Sequence, residues 1–415
     1  MSAAPAARLR SVRDAGERAT SLELFFDLVY VLAFIQVTHL MAEGSNVSSV
    51  FGGLAVLGVL WWSWASHAWL ANQSAADRGV ARIGILIAIA IVLVLSVAIP
   101  EVYPRAGESR FGALLFAGGF VVLSLVYAAV NVLLAGRNVA FRHQVIRTMA
   151  VTIVPVSAAL LVGALVGGFA QILLWLGAVF IEGATVFLTS RGGEWQLPSA
   201  AHYAERHGLV VILALGESII SIGLGAAHSA LTVPVVAGCV LAVFVALAMW
   251  WNYFDRLSAA AERGIHALYG AQRATVAAIG TYLHLGIVAG ILLVSLGLGG
   301  AIKHIDDARS LGLFGAVTLA AGLALFFIAT SMYRWTADGN SPRRRLGAAA
   351  LAVAATPLLA AVTSLASIAV ILAFPLGVAA IDYATTRGLI APGRQDARER
   401  VPPSRSTSPG RVGEW

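Results

Sequence analysis

Twelve largely apolar stretches, each about as long as a helix needs to cross a bilayer, follow one another along this 415-residue chain. They lie near 22–42, 50–70, 80–99, 111–134, 145–166 and 169–189, then near 207–227, 232–254, 274–298, 311–333, 345–363 and 366–385. A helix rises about 1.5 Å per residue and covers the hydrocarbon in about 20 residues. With no water at that depth, each segment must satisfy its own backbone N–H and C=O groups. The pattern predicts an all-α polytopic membrane bundle of about twelve transmembrane helices. Only 12% of residues are charged, against about 25% in soluble domains. Around Gly167 and Ser364 the stretches are so closely spaced that a pair of spans and one kinked span are both open readings.

The formal charge of +7 belongs to the loops and tails. Of 28 Lys and Arg residues, all but Arg105, Arg110, Lys303 and Arg309 fall on one side of a twelve-span arrangement. The positive-inside rule makes that side the cytoplasm and puts both termini there. The excess charge therefore reads as topology, not as a nucleic-acid surface, and Arg343, Arg344 and Arg345 suit anionic headgroups. The lipid bilayer is the one partner the composition names; oligomeric state is not encoded. Residues 1–21 form a cytoplasmic tail with no removable signal peptide, 22–190 and 207–387 two six-helix units, 191–206 a linker, and 388–415 a disordered tail. The single cysteine, Cys239, excludes an intrachain disulfide.

The two units resemble copies. Residues 28–34 (LVYVLAF) align with 209–215 (LVVILAL), Trp61-Trp62-Ser63-Trp64 with Trp250-Trp251-Asn252-Tyr253, and Arg82 with Arg273. Pro155 aligns with Pro357, and Ile181-Glu182 with Ile381-Asp382. Six spans is an even number, so the arrangement is two parallel six-helix repeats, as transporters and some channels are built.

Charges inside the spans are costly and mark function or pairing. In the first helix, 100° spacing puts Glu23, Asp27, Tyr30, Phe34 and Thr38 on one face and His39 off it. In the seventh, Arg206, Val210, Leu213, Glu217 and Ser221 share a face, with Arg206 near the cytoplasmic end and Glu217 about halfway across. Glu23 and Asp27 enter at the depth of His202 and Arg206, so pairs across the halves are possible. They would be either a buried network holding the halves in register or part of a pathway. Glu182, Asp382 and His284 lie at membrane depth, where they could relay protons or hold a cation, although for His284 alone a packed, hydrogen-bonded role is the simpler reading. Trp61, Trp62, Trp64 and Trp69, with Trp250 and Trp251, read as interfacial belts, and the two prolines as kinks. No metal or cofactor motif is present, and no G-x-S-x-G or phosphate loop, so no enzyme is expected.

LELFFDLVYVLAF, HYAERHGLVVILALGESIISI and WWNYFDR together resemble the bacterial low temperature requirement A family over about residues 18–387. The resemblance implies a polytopic membrane protein, with motif positions at Glu23, Phe25, Phe26 and Asp27 and at His202, Glu205, Arg206, Gly208, Gly216 and Glu217. ELFFDLVYV is also similar to the stretch opening the repeats of potassium channels with a Phe-Ser-Asp motif. Here Phe26 replaces the serine and Gly208 aligns with Asp27, departures that bear against potassium selectivity. The expectation is a protein that transports or permeates a small solute or ion, with an ion channel or a non-transporting signalling protein as alternatives.

Overall fold

The computed structural model describes residues 18–387 apart from 74–76, 106, 137–138, 191–196, 228, 256, 307–309 and 340. Most of the expected N-terminal tail, the tail 388–415 and the first part of the expected linker lie outside the described residues. The first half comprises α1 (Ser21–Gly44), α2 (Val47–Gln73), α3 (Gly79–Ala98), α4 (Phe111–Ala135), α5 (Val139–Val166) and α6 (Gly168–Ser190). The second comprises α7 (Ala200–Ala226), α8 (Val233–Phe254), α9 (Leu257–His266), α10 (Gly270–Lys303), α11 (Gly312–Asp338), α12 (Arg343–Ala354), α13 (Thr356–Ala361) and α14 (Ser364–Thr386). With α8 and α9 taken as one segment and α12 and α13 as another, twelve helical segments among the described residues are long and apolar enough to cross a membrane. Among the described residues there is no strand, only an isolated bridge between Ser310 and Thr363.

Both closely spaced pairs are hairpins. Gly167 and Gly168 take positive φ values of 76° and 60°, a reversal that residues with a Cβ resist. Beyond it, positions at similar distances from the turn meet: Trp175 Nε1 donates to Leu160 O (3.0 Å), and the Thr152 and Thr185 hydroxyls lie 3.2 Å apart. Around Thr363, Ser367 Oγ donates to Leu359 O (2.9 Å), and Arg345 reaches Asp382 (3.4 Å). Only one of the two expected proline kinks coincides with a break. Pro155 sits inside a continuous α5, whereas Pro357 opens α13, just past the end of α12.

The seventh span begins before its expected start, so 200–206 of the expected linker are helical. Ser199 caps it by accepting from His202 N (3.1 Å), and the polar first turns find partners inside the protein. In the first half α1 packs on α2 and α3, α3 on α4, α4 on α5, α5 on α6, and α2 on α6. In the second, α7 packs on α8 and α10, α10 on α11, α11 on α12, α12 on α14, and α8 on α14. The halves meet where α1 lies against α7 and α10, where α2 touches both of those helices, and where α6 touches α10. Lipid chains are as apolar as leucine, so such contacts depend on close fit. A Cβ on Gly290 of α10 would come within 2.7 Å of Gly322 O of α11, so glycine is what lets these backbones approach.

Candidate functional site

The face of α1 predicted to be polar is buried, from Glu23 at 0% exposed and Asp27 at 2% through Tyr30 and Phe34 to Thr38, while His39 is exposed beside Glu43. Glu23 is held by the start of its own helix, where Thr20 and Glu23 form a reciprocal cap. Its Oε2 accepts from His202 Nε2 (2.5 Å) and Arg206 Nη1 (2.7 Å). One turn on, Asp27 Oδ1 accepts from Arg206 Nη2 (2.6 Å) and Trp64 Nε1 (2.8 Å), leaving Oδ2 without a hydrogen-bond partner. Tyr30 OH lies 2.8 Å from Ser63 Oγ. Ser63 gives its own proton to Leu60 O, so Tyr30 donates.

Asn72 fixes the state of His202. Its Oδ1 accepts from Ser199 N (3.2 Å), so the group facing His202 Nδ1 at 3.1 Å is the NH2. Nδ1 therefore accepts, and Nε2 carries the hydrogen given to Glu23. Within this cluster one guanidinium faces two carboxyls, and the imidazole adds a donor without needing a charge. Glu205 points elsewhere and accepts from Ala19 N (2.8 Å).

The network continues through histidines. The His207 ring packs against Trp64 (5.1 Å between centroids) and His284 (4.7 Å), and its Nε2 lies 3.1 Å from Thr281 Oγ1. His284 donates through Nδ1 to Gly280 O (2.6 Å) and accepts at Nε2 from Tyr253 OH (2.7 Å), so both ring nitrogens are satisfied.

Farther along the same three helices lies a second polar level. Residues 179 apart pair between α1 and α7, at Glu23 with His202 and at Asp27 with Arg206, so these helices run parallel in constant register. The same offset brings Thr38 to Glu217. Ser221 Oγ donates to Glu217 Oε1 (2.9 Å), and the Ser295 and Thr38 hydroxyls approach the same carboxyl. Even so, Glu217 Oε2, Ser295 Oγ and Thr38 Oγ1 are buried without a partner in hydrogen-bond geometry.

Glu182 stands in a different place. It lines a cavity of about 160 Å³ walled by α2, α4, α5 and α6 of the first half and α10 of the second. Glu182 is 9% exposed, and its Oε2 has no hydrogen-bond partner. Its aligned counterpart Asp382 is paired instead, with Arg345 at 3.4 Å and Arg344 at 3.7 Å. Among the described residues no group of three or more His, Cys, Asp or Glu side chains could hold a metal ion.

A family model described as bacterial low temperature requirement A protein (LtrA) matches residues 18–380, from just before α1 into α14. The chain belongs to the LtrA family. An uncharacterized protein of Rhizobium meliloti (strain 1021) is 26% identical over 335 residues, covering 78% of this chain and 79% of that protein. No solved structure matches.

In this LtrA chain the motif residues Glu23, Asp27, His202 and Arg206 converge on one cluster, while Glu205 and Glu217 lie outside it. The sequence reading missed Trp64, Asn72 and His207, and with them His67, which lines the cavity beside Glu182. Trp61, Trp62 and Trp64 are 1%, 4% and 1% exposed, so they form no interfacial belt, whereas Trp250 and Trp251 are exposed. A signal was present: Ser63 and His67, four residues apart in an apolar run, mark a polar stripe on α2 that faces inward and carries Trp64 with it.

Proposed function

We propose that this LtrA protein is a transport or permeation protein for a small solute or ion, not an enzyme, in the bacterial inner membrane with both termini in the cytoplasm. The observation that carries the reading is the cavity beside Glu182, walled by helices from both halves and lined by an acid whose Oε2 has no hydrogen-bond partner among the described residues. Sites of this kind are mostly apolar with a few polar groups. Thr281 lines the cavity and also meets His207, whose ring touches Trp64, so the cavity is linked by direct contacts to the α1–α7 cluster.

Two parallel six-helix repeats are part of the proposal. The pairs α1–α2, α1–α3, α3–α4, α4–α5 and α2–α6 recur in order as α7–α8, α7–α10, α10–α11, α11–α12 and α8–α14. Thr185 and Thr385 make the same pair of back-bonds, each at 2.8 and 3.0 Å. Superposing α1 on α7 is expected to bring α6 onto α14; an inverted match would exclude the parallel repeat. Tags at either terminus are expected to be cytoplasmic and one near Glu108 external.

A second reading, a passive ion path along α1, α7 and α10, is favoured by the three unpartnered oxygens around Glu217. Purified protein in liposomes, assayed for proton, potassium and organic-ion flux with and without a membrane potential, tests both. Flux that saturates with substrate indicates a carrier, and flux proportional to the gradient indicates a channel. No flux of any of these would leave the non-transporting alternative.

A further inference from the structure

We propose that the cavity beside Glu182 binds a small organic ammonium ion, held by aromatic walls with the Glu182 carboxylate as counter-ion. This rests on the transport reading and names its substrate class. At about 160 Å³ the cavity has room for roughly five waters at about 30 Å³ each, which suits a molecule of about six heavy atoms. Its walls include Trp62, Trp69, Phe120, Tyr127, Phe187 and Tyr282, and among the described residues no lysine or arginine lines it.

The donor set selects the ligand. Hard metal cations take six or more oxygen ligands or keep several waters, and beside the one carboxylate the described lining offers them only neutral hydroxyls such as those of Ser124, Thr148 and Thr152. Among the described lining residues an anion meets no lysine or arginine, only the His67 imidazole. An ammonium with apolar substituents is attracted by ring faces through their quadrupoles and by the carboxylate through its charge. Two walls are fixed beside the acid: Trp62 Nε1 donates to Val179 O (3.2 Å) and Tyr282 OH to Gly183 O (2.6 Å), on either side of Glu182 along α6. The rings meet edge to face at 4.9 Å, and a Cβ on Gly183 would sit 3.0 Å from Trp62. Glycine next to the acid is thus what lets the cage close. A lipid tail could occupy the same volume, but it would leave the carboxylate unpaired in a low-dielectric space.

The test uses the full-length protein in lipid nanodiscs, titrated calorimetrically with ethyltrimethylammonium and with its uncharged shape analogue 2,2-dimethylbutane. Saturable one-to-one binding is expected for the cation, with the hydrocarbon doing no more than partition into empty nanodiscs. Glu182→Gln is expected to weaken cation binding at least about tenfold. Ala278→Leu, which fills the α10 wall and leaves the acid in the chain, is expected to weaken it as well. Equal affinity for the two probes, or unchanged cation affinity in Glu182→Gln, overturns the proposal. If Glu182→Gln does not give monodisperse protein, discrimination between the probes and its loss in Ala278→Leu decide. Cation binding without flux in liposomes would keep this site and sink the transport reading. Flux of another solute without saturable cation binding would do the reverse.

Discussion

Glu23 and Asp27 are buried with a guanidinium, an imidazole and an indole N–H around them, whereas Glu182 and Glu217 are buried with hydroxyls, aromatic rings or open space. The two settings have opposite energetics. Moving a carboxylate out of water costs several kcal/mol, and a partner held in good geometry offsets much of that, so removing the partner costs more than removing the pair. An acid without a cation has no such stake in the fold, and deleting its charge relieves a cost. Burial alone therefore does not separate the two roles; the partner set does. The paired acids join α1 to α7 across the halves, and the unpaired ones remain available to a ligand.

The largest effect is expected from Arg206→Met, which leaves two buried carboxyls facing each other with no cation. A loss of about 3 to 5 kcal/mol is expected, seen as aggregation or a strongly lowered apparent Tm. Adding Glu23→Gln and Asp27→Asn to that variant should restore much of the loss, and a triple variant no better than Arg206→Met would break the comparison. Asp27→Asn alone should cost less, roughly 1 to 3 kcal/mol, because Arg206 keeps Glu23 and the amide oxygen can still accept from Trp64. A Tm unchanged in this variant would mean the network does not hold the halves together.

Much of this was legible in the chain. The twelve apolar stretches, the polar face of α1 and the level at which it meets His202 and Arg206 all follow from length and helical periodicity. A rule applied at each residue's own position could not say which neighbour a side chain faces. Trp64 shows this: in sequence it sits in a run of tryptophans near a predicted helix end, which suits a membrane interface. The tertiary arrangement turns that helix face inward and gives the indole N–H to Asp27. His207 was passed over for the same reason, since its importance comes from Thr281 and His284 on α10, which are remote in sequence. The start of α7 was misjudged because hydropathy counts His202, Glu205 and Arg206 against a span, although two of the three are neutralised or hydrogen-bonded by α1.

Glu182→Gln sharpens the contrast from the other side. Stability is expected to stay level or rise by up to about 1 kcal/mol, because Gln keeps the shape and needs neither a counter-charge nor a bound proton in a low-dielectric space. Differential scanning fluorimetry in the same nanodiscs reads the sign. A drop as large as that of Asp27→Asn would place Glu182 among the structural acids, whatever its ligand affinity.

The smallest stability effect is expected at Glu217→Gln. Ser221 already donates to Oε1, and the Gln carbonyl can keep that bond. The new amide N–H2 would sit among the Ser295 and Thr38 oxygens, which lack partners in hydrogen-bond geometry. Stability should therefore move by no more than about 0.5 kcal/mol. Function should respond very differently if α1, α7 and α10 line a path, because Gln keeps the shape but cannot exchange a proton or carry a negative charge at mid-membrane depth. The expected outcome is a monodisperse protein with near-native Tm that has lost its flux or the pH dependence of that flux. Until a flux is known, complementation of growth in the cold supplies the readout. Full function in Glu217→Gln together with loss of the cation response in Glu182→Gln would confine the pathway to the cavity and leave the second polar level as packing. Loss in both would put the cavity and the α1–α7–α10 axis on one route.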